Sequence, residues 1–161
     1  GVSSAASDVY KRQEDIKAYI TGEHGDSQVA VLSSATVGGF PLEEYARQVG
    51  ITLDKEELAE HTKNGGAEII GLKGATFYGV AMAVSTIVET IMKDNSAILP
   101  VAHMLDESFG KWAGVAVSLP CRVGWEGIEA AFKIPMNEEE EAAMNRSVEL
   151  LKDFWAQVKE Q

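Results

Sequence analysis

The sequence predicts an α+β fold in which antiparallel strands pack with long helices, and three features of the chain support this prediction. A helical apolar pattern covers residues 76–93, and a second one follows a strong start signal at Asn137. Between them lie three strand-like segments, separated by glycine and acidic clusters as an antiparallel meander requires: residues 97–105, 113–123 and 128–134. Helices that flank a run of antiparallel strands are typical of this class.

The regular patterning of the chain begins at Glu14. Residues 16–21 alternate aliphatic side chains with Lys, Tyr and Thr, which predicts a strand that runs into a glycine-bounded turn at residues 22–25. Residues 28–32 form a second short apolar run. We therefore expect a strand, a tight turn and another apolar segment at the start of the patterned chain.

Three helices are predicted from start signals and apolar spacing. Asp54 can cap a helix that runs to about Gly71, with Glu57 at the third helical position. The helix over residues 76–93 is expected to bury one stripe of side chains: Val80, Val84, Ile87 and Ile91. Asn137 caps the last helix, whose first-turn glutamates suit the helix dipole and whose apolar residues recur at helical spacing: Met144, Val148, Leu151, Trp155 and Val158.

Residues 1–13 differ from the rest of the chain. They are small and polar and have no sustained apolar period of a helix or a strand. We expect this segment to be foreign to the domain, an artefact of cloning or translation. No linker or internal repeat interrupts residues 14–161, which are expected to form one domain.

Charge and composition limit the classes of partner. The net charge of −11 disfavours a nucleic-acid partner, because an acidic surface repels phosphates. No apolar run approaches the roughly 18 to 20 residues that span a bilayer, and the N-terminus lacks the pattern of a secretory signal. The single cysteine, Cys121, excludes an internal disulfide and suits a reducing compartment. We expect a cytoplasmic protein with neither a nucleic-acid nor a membrane partner.

The most informative local motif is GEHGDS at residues 22–27. Its central residue, His24, lies between glycines that leave room for a ligand and allow the backbone to turn. Histidine titrates near neutrality, which suits proton transfer to a carbonyl or from a hydroxyl group. The motif alone is equally compatible with a turn histidine that is hydrogen-bonded to the backbone.

Other chemistries for this motif are weaker. Ser27 follows His24 and Asp26 closely, but the order matches no nucleophile elbow, and sequence neighbours rarely form a triad. The chain's three histidines show no metal-ligand spacing, so we expect no metal site. His61 is expected on a solvated helix face, and Cys121 is expected to be an inert core thiol.

A second motif, LKGATFYG, covers residues 72–79. A glycine and small residues at a helix start leave backbone amides and the Thr76 hydroxyl free to meet an anion. On these residues alone, a helix–helix turn capped by Thr76 is the favoured interpretation.

Together these segments resemble the lactate/malate dehydrogenase family, and specifically its L-lactate branch. The resemblance covers about residues 15–159 in the right order and spacing, and four stretches carry it: AYITGEHGDSQVAV, GGAEIIGLKGATFYGVAMAV, ILPVAHMLD and GIEAAFKIPMNEEEEAAMNRS. GEHGDS paired with the KGAT segment is highly specific. The resemblance implies the family's C-terminal substrate domain as the fold.

The resemblance also implies roles for three residues. His24 matches the family's proton donor and acceptor, which protonates the carbonyl of pyruvate while NADH delivers hydride. Thr76 matches a residue that lines the substrate pocket near the carboxylate. Val80 matches the aliphatic position against the nicotinamide of the NAD cofactor. The resemblance further implies a homo-oligomer, a dimer or a tetramer, in the full-length protein.

The family's remaining machinery is expected to be missing. At the family's spacing, the arginine that grips the carboxylate and the aspartate that orients the histidine both fall before Gly1, as do the nucleotide-binding domain and its mobile loop. We therefore expect the isolated chain to be inactive. Two alternatives remain open: a fragment of an L-malate or other L-2-hydroxyacid dehydrogenase, and a non-catalytic assembly module.

Overall fold

The computed structural model describes residues 15–74 and 77–159 of the chain. Its elements, in order, are β1 (Ile16–Thr21), β2 (Val29–Val37), β3 (Phe40–Pro41), α1 (Leu42–Val49), α2 (Lys55–Lys73), α3 (Tyr78–Lys93), β4 (Ala97–Met104), a 3-10 helix (Glu107–Trp112), β5 (Ala116–Gly124), β6 (Gly127–Ala131) and α4 (Glu138–Lys159). Helices and antiparallel strands share the domain, which confirms the predicted α+β class. Among the described residues, no helix is both long and apolar enough to cross a bilayer.

The strands form two antiparallel sheets of three strands each, β1-β2-β3 and β4-β5-β6. In the first, Thr21 pairs with Val29, so the turn between them is held at the end of a two-stranded ladder. The second is the predicted meander, in which β5 is the central strand between β4 and β6. The GEHGDS turn therefore lies at one end of the β1–β2 strand pair.

The helix ends follow the predicted start signals. The Asp54 carboxylate accepts a hydrogen bond from the Glu57 amide at 3.0 Å, as expected of an N-cap. The Glu140 amide donates to the Asn137 side chain at 2.8 Å, and the Asn137 amide donates back to the Glu140 carboxylate at 3.1 Å. This reciprocal pair is a capping box and fixes the start of α4. Helix α2 continues through its two central glycines to Lys73, two residues beyond the predicted end.

The core lies between the two sheets, the 3-10 helix and one face of α4. Its buried side chains come from all of these elements: Val29, Val31, Leu105, Phe109, Trp112, Val115, Val117, Leu119, Ile134, Met144 and Val148. Strand β1 contributes Tyr19 and the buried Thr21 rather than Ile20, since a bulge between Lys17 and Tyr19 shifts which side chains face inward. The bulge thereby changes the simple alternation of the sequence.

The predicted buried stripe of α3 is wrong in its first half. Val80 is 59 % exposed and Val84 is 55 % exposed, while Ile87 and Ile91 are half-buried and Thr90 is buried. The C-terminal half of the helix packs on β5, and no element of the described part of the chain covers the N-terminal half of the stripe. The apolar spacing was read correctly as helical, but the residues that would bury this face are not among those described.

Candidate functional site

The loop over residues 22–28 joins β1 to β2 and carries His24. The His24 side chain is exposed, whereas the residues on either side of the loop, Thr21 and Val29, are buried. No hydrogen bond to the His24 ring is made by the described residues. The imidazole is thus exposed on a turn whose two ends are buried in the core.

Gly22 is required at the start of the loop for two reasons. Its φ of 87° lies in the left-handed region, which side chains other than glycine's rarely adopt. A Cβ at this position would also come within 2.6 Å of the Ser147 Oγ on α4. The backbone therefore turns and approaches α4 at the same residue.

Three hydrogen bonds form a closed ring, and two of them connect this loop to α4. The Glu23 amide donates to the Ser147 Oγ at 2.7 Å, and the Ser27 hydroxyl donates to the Glu23 Oε2 at 2.9 Å. The two serine oxygens are 3.0 Å apart. Because the Ser27 hydroxyl proton is already donated to Glu23, the Ser147 hydroxyl is the donor in this third contact.

The Glu23 carboxylate folds back across the loop instead of pointing to solvent. Besides the Ser27 hydroxyl, its Oε2 accepts the Ser27 amide at 3.1 Å. A Cβ on Gly25 would lie 2.1 Å from the Glu23 Oε1, so the glycine leaves the space that this carboxylate fills. The two glycines, the glutamate and the serine of GEHGDS therefore shape the loop, and the His24 side chain remains exposed.

A cleft of about 490 Å³ opens beside the loop, between the start of β2 and helix α2. Its lining is mainly polar: Asp26, Gln28, Ala30, Ala59, Glu60, Thr62, Lys63 and Asn64. Lys63 lies 3.8 Å from the exposed Asp26 carboxylate, an ion pair that links α2 to the loop. The cleft places a lysine, an amide and a hydroxyl group within reach of a polar ligand close to the His24 loop.

The other two predicted site residues are less constrained by the structure. Thr76 lies outside the described residues. Val80 is in the first turn of α3 and exposed, so it is open to a ligand or to another part of the protein. Neither Val80 nor His24 lines the 490 Å³ cleft. The structure therefore places His24 and Val80 on separate elements and does not join them.

The remaining histidines and the cysteine lie on other elements than the His24 loop. His61 is exposed on α2 as predicted. The Cys121 thiol is buried on β5, 3.5 Å from the His103 Nδ1, and its burial raises its pKa, as expected of an unreactive thiol. Within residues 15–74 and 77–159, no group of three or more His, Cys, Asp or Glu side chains is arranged to hold a metal ion.

Ser147 is the site residue that sequence reasoning missed. It is fully buried in α4, between Met144 and Val148 on the face that packs into the core. A serine on the apolar face of an otherwise regular helix requires a hydrogen-bond partner, because a buried hydroxyl without one is costly. That exception to the pattern was visible in the sequence, but its partner 124 residues away was not.

Known proteins with similar sequences include L-lactate dehydrogenases. The family described as lactate/malate dehydrogenase, alpha/beta C-terminal domain matches residues 3–161, a range that includes most of the segment predicted to be foreign. An L-lactate dehydrogenase of Nitratidesulfovibrio vulgaris is 40% identical over 144 residues, 88% of this chain and 46% of the relative. L-lactate dehydrogenase A of Rhizopus oryzae is 37% identical over 139 residues, 86% of this chain and 41% of the relative.

A solved structure shares the architecture. It is a lactate dehydrogenase enzyme from a Medee basin deep-sea metagenome library, with a TM-score of 0.81 and 27% sequence identity over 94% of this chain and 49% of that one. The chain thus spans less than half the length of these relatives. The domain match, the shared fold and the GEHGDS loop agree, and the chain belongs to the lactate/malate dehydrogenase family as its alpha/beta C-terminal domain.

Proposed function

We propose that this chain is the substrate-side half of an L-lactate dehydrogenase, which reduces pyruvate to L-lactate with NADH and catalyses the reverse reaction. The observation that carries the proposal is the His24 loop, which holds the exposed imidazole of the GEHGDS motif on a hydrogen-bonded frame. Relatives that are 37 to 40% identical and named L-lactate dehydrogenase support the same activity.

His24 would act as the proton donor in the direction of pyruvate reduction and as the proton acceptor in lactate oxidation. An imidazolium ring hydrogen-bonded to the carbonyl oxygen gives up its proton as that oxygen becomes a hydroxyl group. The neutral ring takes the proton back in the reverse direction. A loop that fixes the backbone on both sides of the histidine suits this role, because proton transfer requires a hydrogen-bond distance to the reacting oxygen.

NAD would supply and accept the hydride. Of the described residues, the exposed Val80 fits one part of such a cofactor, since an aliphatic side chain can lie against a flat ring. The described residues contain no glycine-rich turn from a strand into a helix that would cradle a pyrophosphate. The greater part of the dinucleotide would therefore be held by residues other than these.

Pyruvate and L-lactate are the proposed substrates, and other 2-hydroxy acids of the L series are the alternative. Thr76, the residue proposed near the substrate carboxylate, is small and uncharged, which favours a substrate with one carboxylate over one with two. Comparing kcat/KM for pyruvate with that for oxaloacetate in the whole enzyme distinguishes the two classes. A preference for oxaloacetate would support the malate alternative.

We further propose that the whole enzyme is a cytoplasmic homo-oligomer. The exposed apolar side chains of α3 support an interface there, because a soluble monomer rarely leaves so many large apolar side chains in contact with water: Val80, Met82, Val84, Val88 and Met92. An assembly module without catalysis would use the same surface. Activity of the whole polypeptide separates that alternative from an enzyme.

Substitution of His24 tests the proposed function. In the whole polypeptide, His24→Asn is expected to lower kcat by roughly 10²- to 10⁴-fold, the usual contribution of a general acid or base. His61→Asn is the matched control, because His61 is also exposed but lies on α2. Near-normal kcat in His24→Asn would overturn the proposal.

The isolated chain provides a second test. No carboxylate of the described residues is hydrogen-bonded to the His24 ring, so none of them fixes its orientation or tautomer. The purified 161-residue chain is therefore expected to produce no NADH from L-lactate and NAD. Measurable production would contradict the assignment of part of the site to residues outside this chain.

A further inference from the structure

We propose that Ser147 is a positioning residue for His24: its buried hydroxyl group holds the GEHGDS loop in the shape that presents the imidazole. The inference rests on the proposed role of His24 and adds a residue from the last helix to that site. Ser147 touches neither the imidazole nor, on this proposal, the substrate. It would act only through the loop backbone and through Ser27.

The position of Ser147 in the fold makes it a rigid support. It is fully buried, and it lies one turn after Met144, whose Sδ accepts a 3.8 Å contact from the Thr21 hydroxyl. Helix α4 thus contacts the end of β1 through Met144 and the start of the loop through Ser147. Both residues lie on the face of α4 that faces the core, so the loop is attached to a buried part of the domain.

The Ser147 hydroxyl group both accepts and donates a hydrogen bond within the ring. It accepts the Glu23 amide and donates to the Ser27 oxygen, and Ser27 in turn donates to the Glu23 carboxylate. Each member has one proton to give and one acceptor to fill, so loss of one hydroxyl leaves two groups without their partners. The Glu23 amide is affected directly, and it belongs to the residue that precedes His24.

The His24 ring depends on this frame because the described residues make no hydrogen bond to it. The position of the ring is set by the backbone of the loop and by any further residues that contact it in the whole enzyme. A displacement of about 1 Å at a reacting group can reduce a rate by roughly 10²-fold. A loop released from α4 would therefore impair proton transfer more than substrate binding.

The test uses steady-state kinetics of the whole polypeptide with two variants of the ring. Ser147→Ala and Ser27→Ala are each expected to lower kcat for pyruvate reduction by about 10- to 100-fold, with a much smaller change in KM. The double variant is expected to be little worse than either single one, because both remove the same ring. Hydrogen exchange of the Glu23 amide should quicken in Ser147→Ala.

Val148→Ala is the matched control for stability. It removes buried volume from the adjacent position of α4 but leaves the ring intact. Below its melting temperature it is expected to keep the kcat and KM of the parent, whereas a merely structural role of Ser147 would make the two variants behave alike. If Ser147→Ala does not fold, Ser27→Ala alone decides, since Ser27 lies in the loop and not in the core.

The two proposals fail in different ways. Unchanged kcat in both Ser147→Ala and Ser27→Ala, together with a large loss in His24→Asn, would overturn the positioning role and leave the proposed function intact. Unchanged kcat in His24→Asn would overturn the proposed function itself. Additive effects of the two serine substitutions would show that they do not act through one ring.

Discussion

The two ends of the chain and its middle differ in how far they bury their own apolar residues. The β1–β2 unit and α4 close on β5 and the 3-10 helix, and Met144 and Val148 in the first half of α4 are fully buried, although Trp155 and Val158 near its end are exposed. In the middle of the chain, α3 has an equally regular apolar spacing, yet the side with Val84 and Val88 is exposed. Apolar side chains at similar helical spacing are therefore buried in the first half of α4 and exposed in most of α3.

The packed region is held by contacts within the domain, whereas the exposed side chains of α3 are available for contacts with other residues. The His24 loop belongs to the self-sufficient region, because its ring of hydrogen bonds ends on Ser147 in α4. Val80, proposed to meet the cofactor, belongs to the exposed region. The domain would thus keep the loop that carries His24 in shape, while the part of α3 that carries Val80 remains uncovered.

The largest effect is expected from a matched pair of methionines. Met144→Ala removes a fully buried side chain and should lower the free energy of unfolding by about 2 to 5 kcal/mol. Met82→Ala makes the same chemical change at a residue that is 67 % exposed, and should cost no more than about 0.5 kcal/mol. Urea unfolding of the 161-residue chain measures both. Equal losses would contradict the division into a packed and an uncovered region.

Much of this division was not readable from the sequence. Periodicity predicted both helices correctly, since the spacing of Val80 and Val84 is as regular as that of Met144 and Val148. A period indicates which side chains share a face, but not whether another element covers that face. The bulge in β1 is a similar case, because the alternation around Tyr19 does not reveal an extra residue in the ladder.

The candidate site shows the same limit. The glycines around His24 and the caps at Asp54 and Asn137 are local features, and the sequence predicted them because each depends on residues a few positions apart. Ser147 and Glu23 are joined across 124 residues, so no local pattern contains that contact. The site was therefore predictable as a loop with a histidine, but not as a loop fastened to the last helix.

A smaller effect is expected where α4 meets β2, at Glu140. Its carboxylate accepts the Leu32 and Ser33 amides at 2.9 Å each, and the Ser33 hydroxyl also donates to it. Partial burial raises the pKa of this carboxyl, but hydrogen bonds from Ser33, Asn137 and Leu32 outweigh it and leave the pKa below the ordinary value of 4.5. The ionised form of Glu140 therefore stabilises the packed region.

The sign of the pH dependence follows from that lowered pKa. The contribution of Glu140 is complete above the ordinary pKa, which the unfolded chain has, and is lost as the pH falls through the lower folded-state pKa. Glu140→Gln should therefore cost about 1 kcal/mol at pH 7, a figure reduced for partial exposure to solvent. The difference in the free energy of unfolding between Glu140→Gln and the parent should become smaller at acidic pH. Urea unfolding at neutral and at acidic pH checks this, and a gap independent of pH would exclude the proposed role of the charge.

The smallest effect on stability, and the sharpest test of the uncovered region, is expected on α3. Val84→Glu with Val88→Glu replaces exposed apolar side chains, so the free energy of unfolding should change by no more than about 0.5 kcal/mol. Ser85→Glu with Thr86→Glu is the control, because it adds the same charge to exposed positions of the same helix. Only the valine pair should reduce self-association of the isolated chain in sedimentation velocity, since only that pair removes apolar surface. In the whole polypeptide the valine pair should instead weaken assembly or cofactor affinity. If both pairs reduce self-association equally, the added charge and not the loss of apolar surface accounts for the reduction. The result would then contradict an interface on α3.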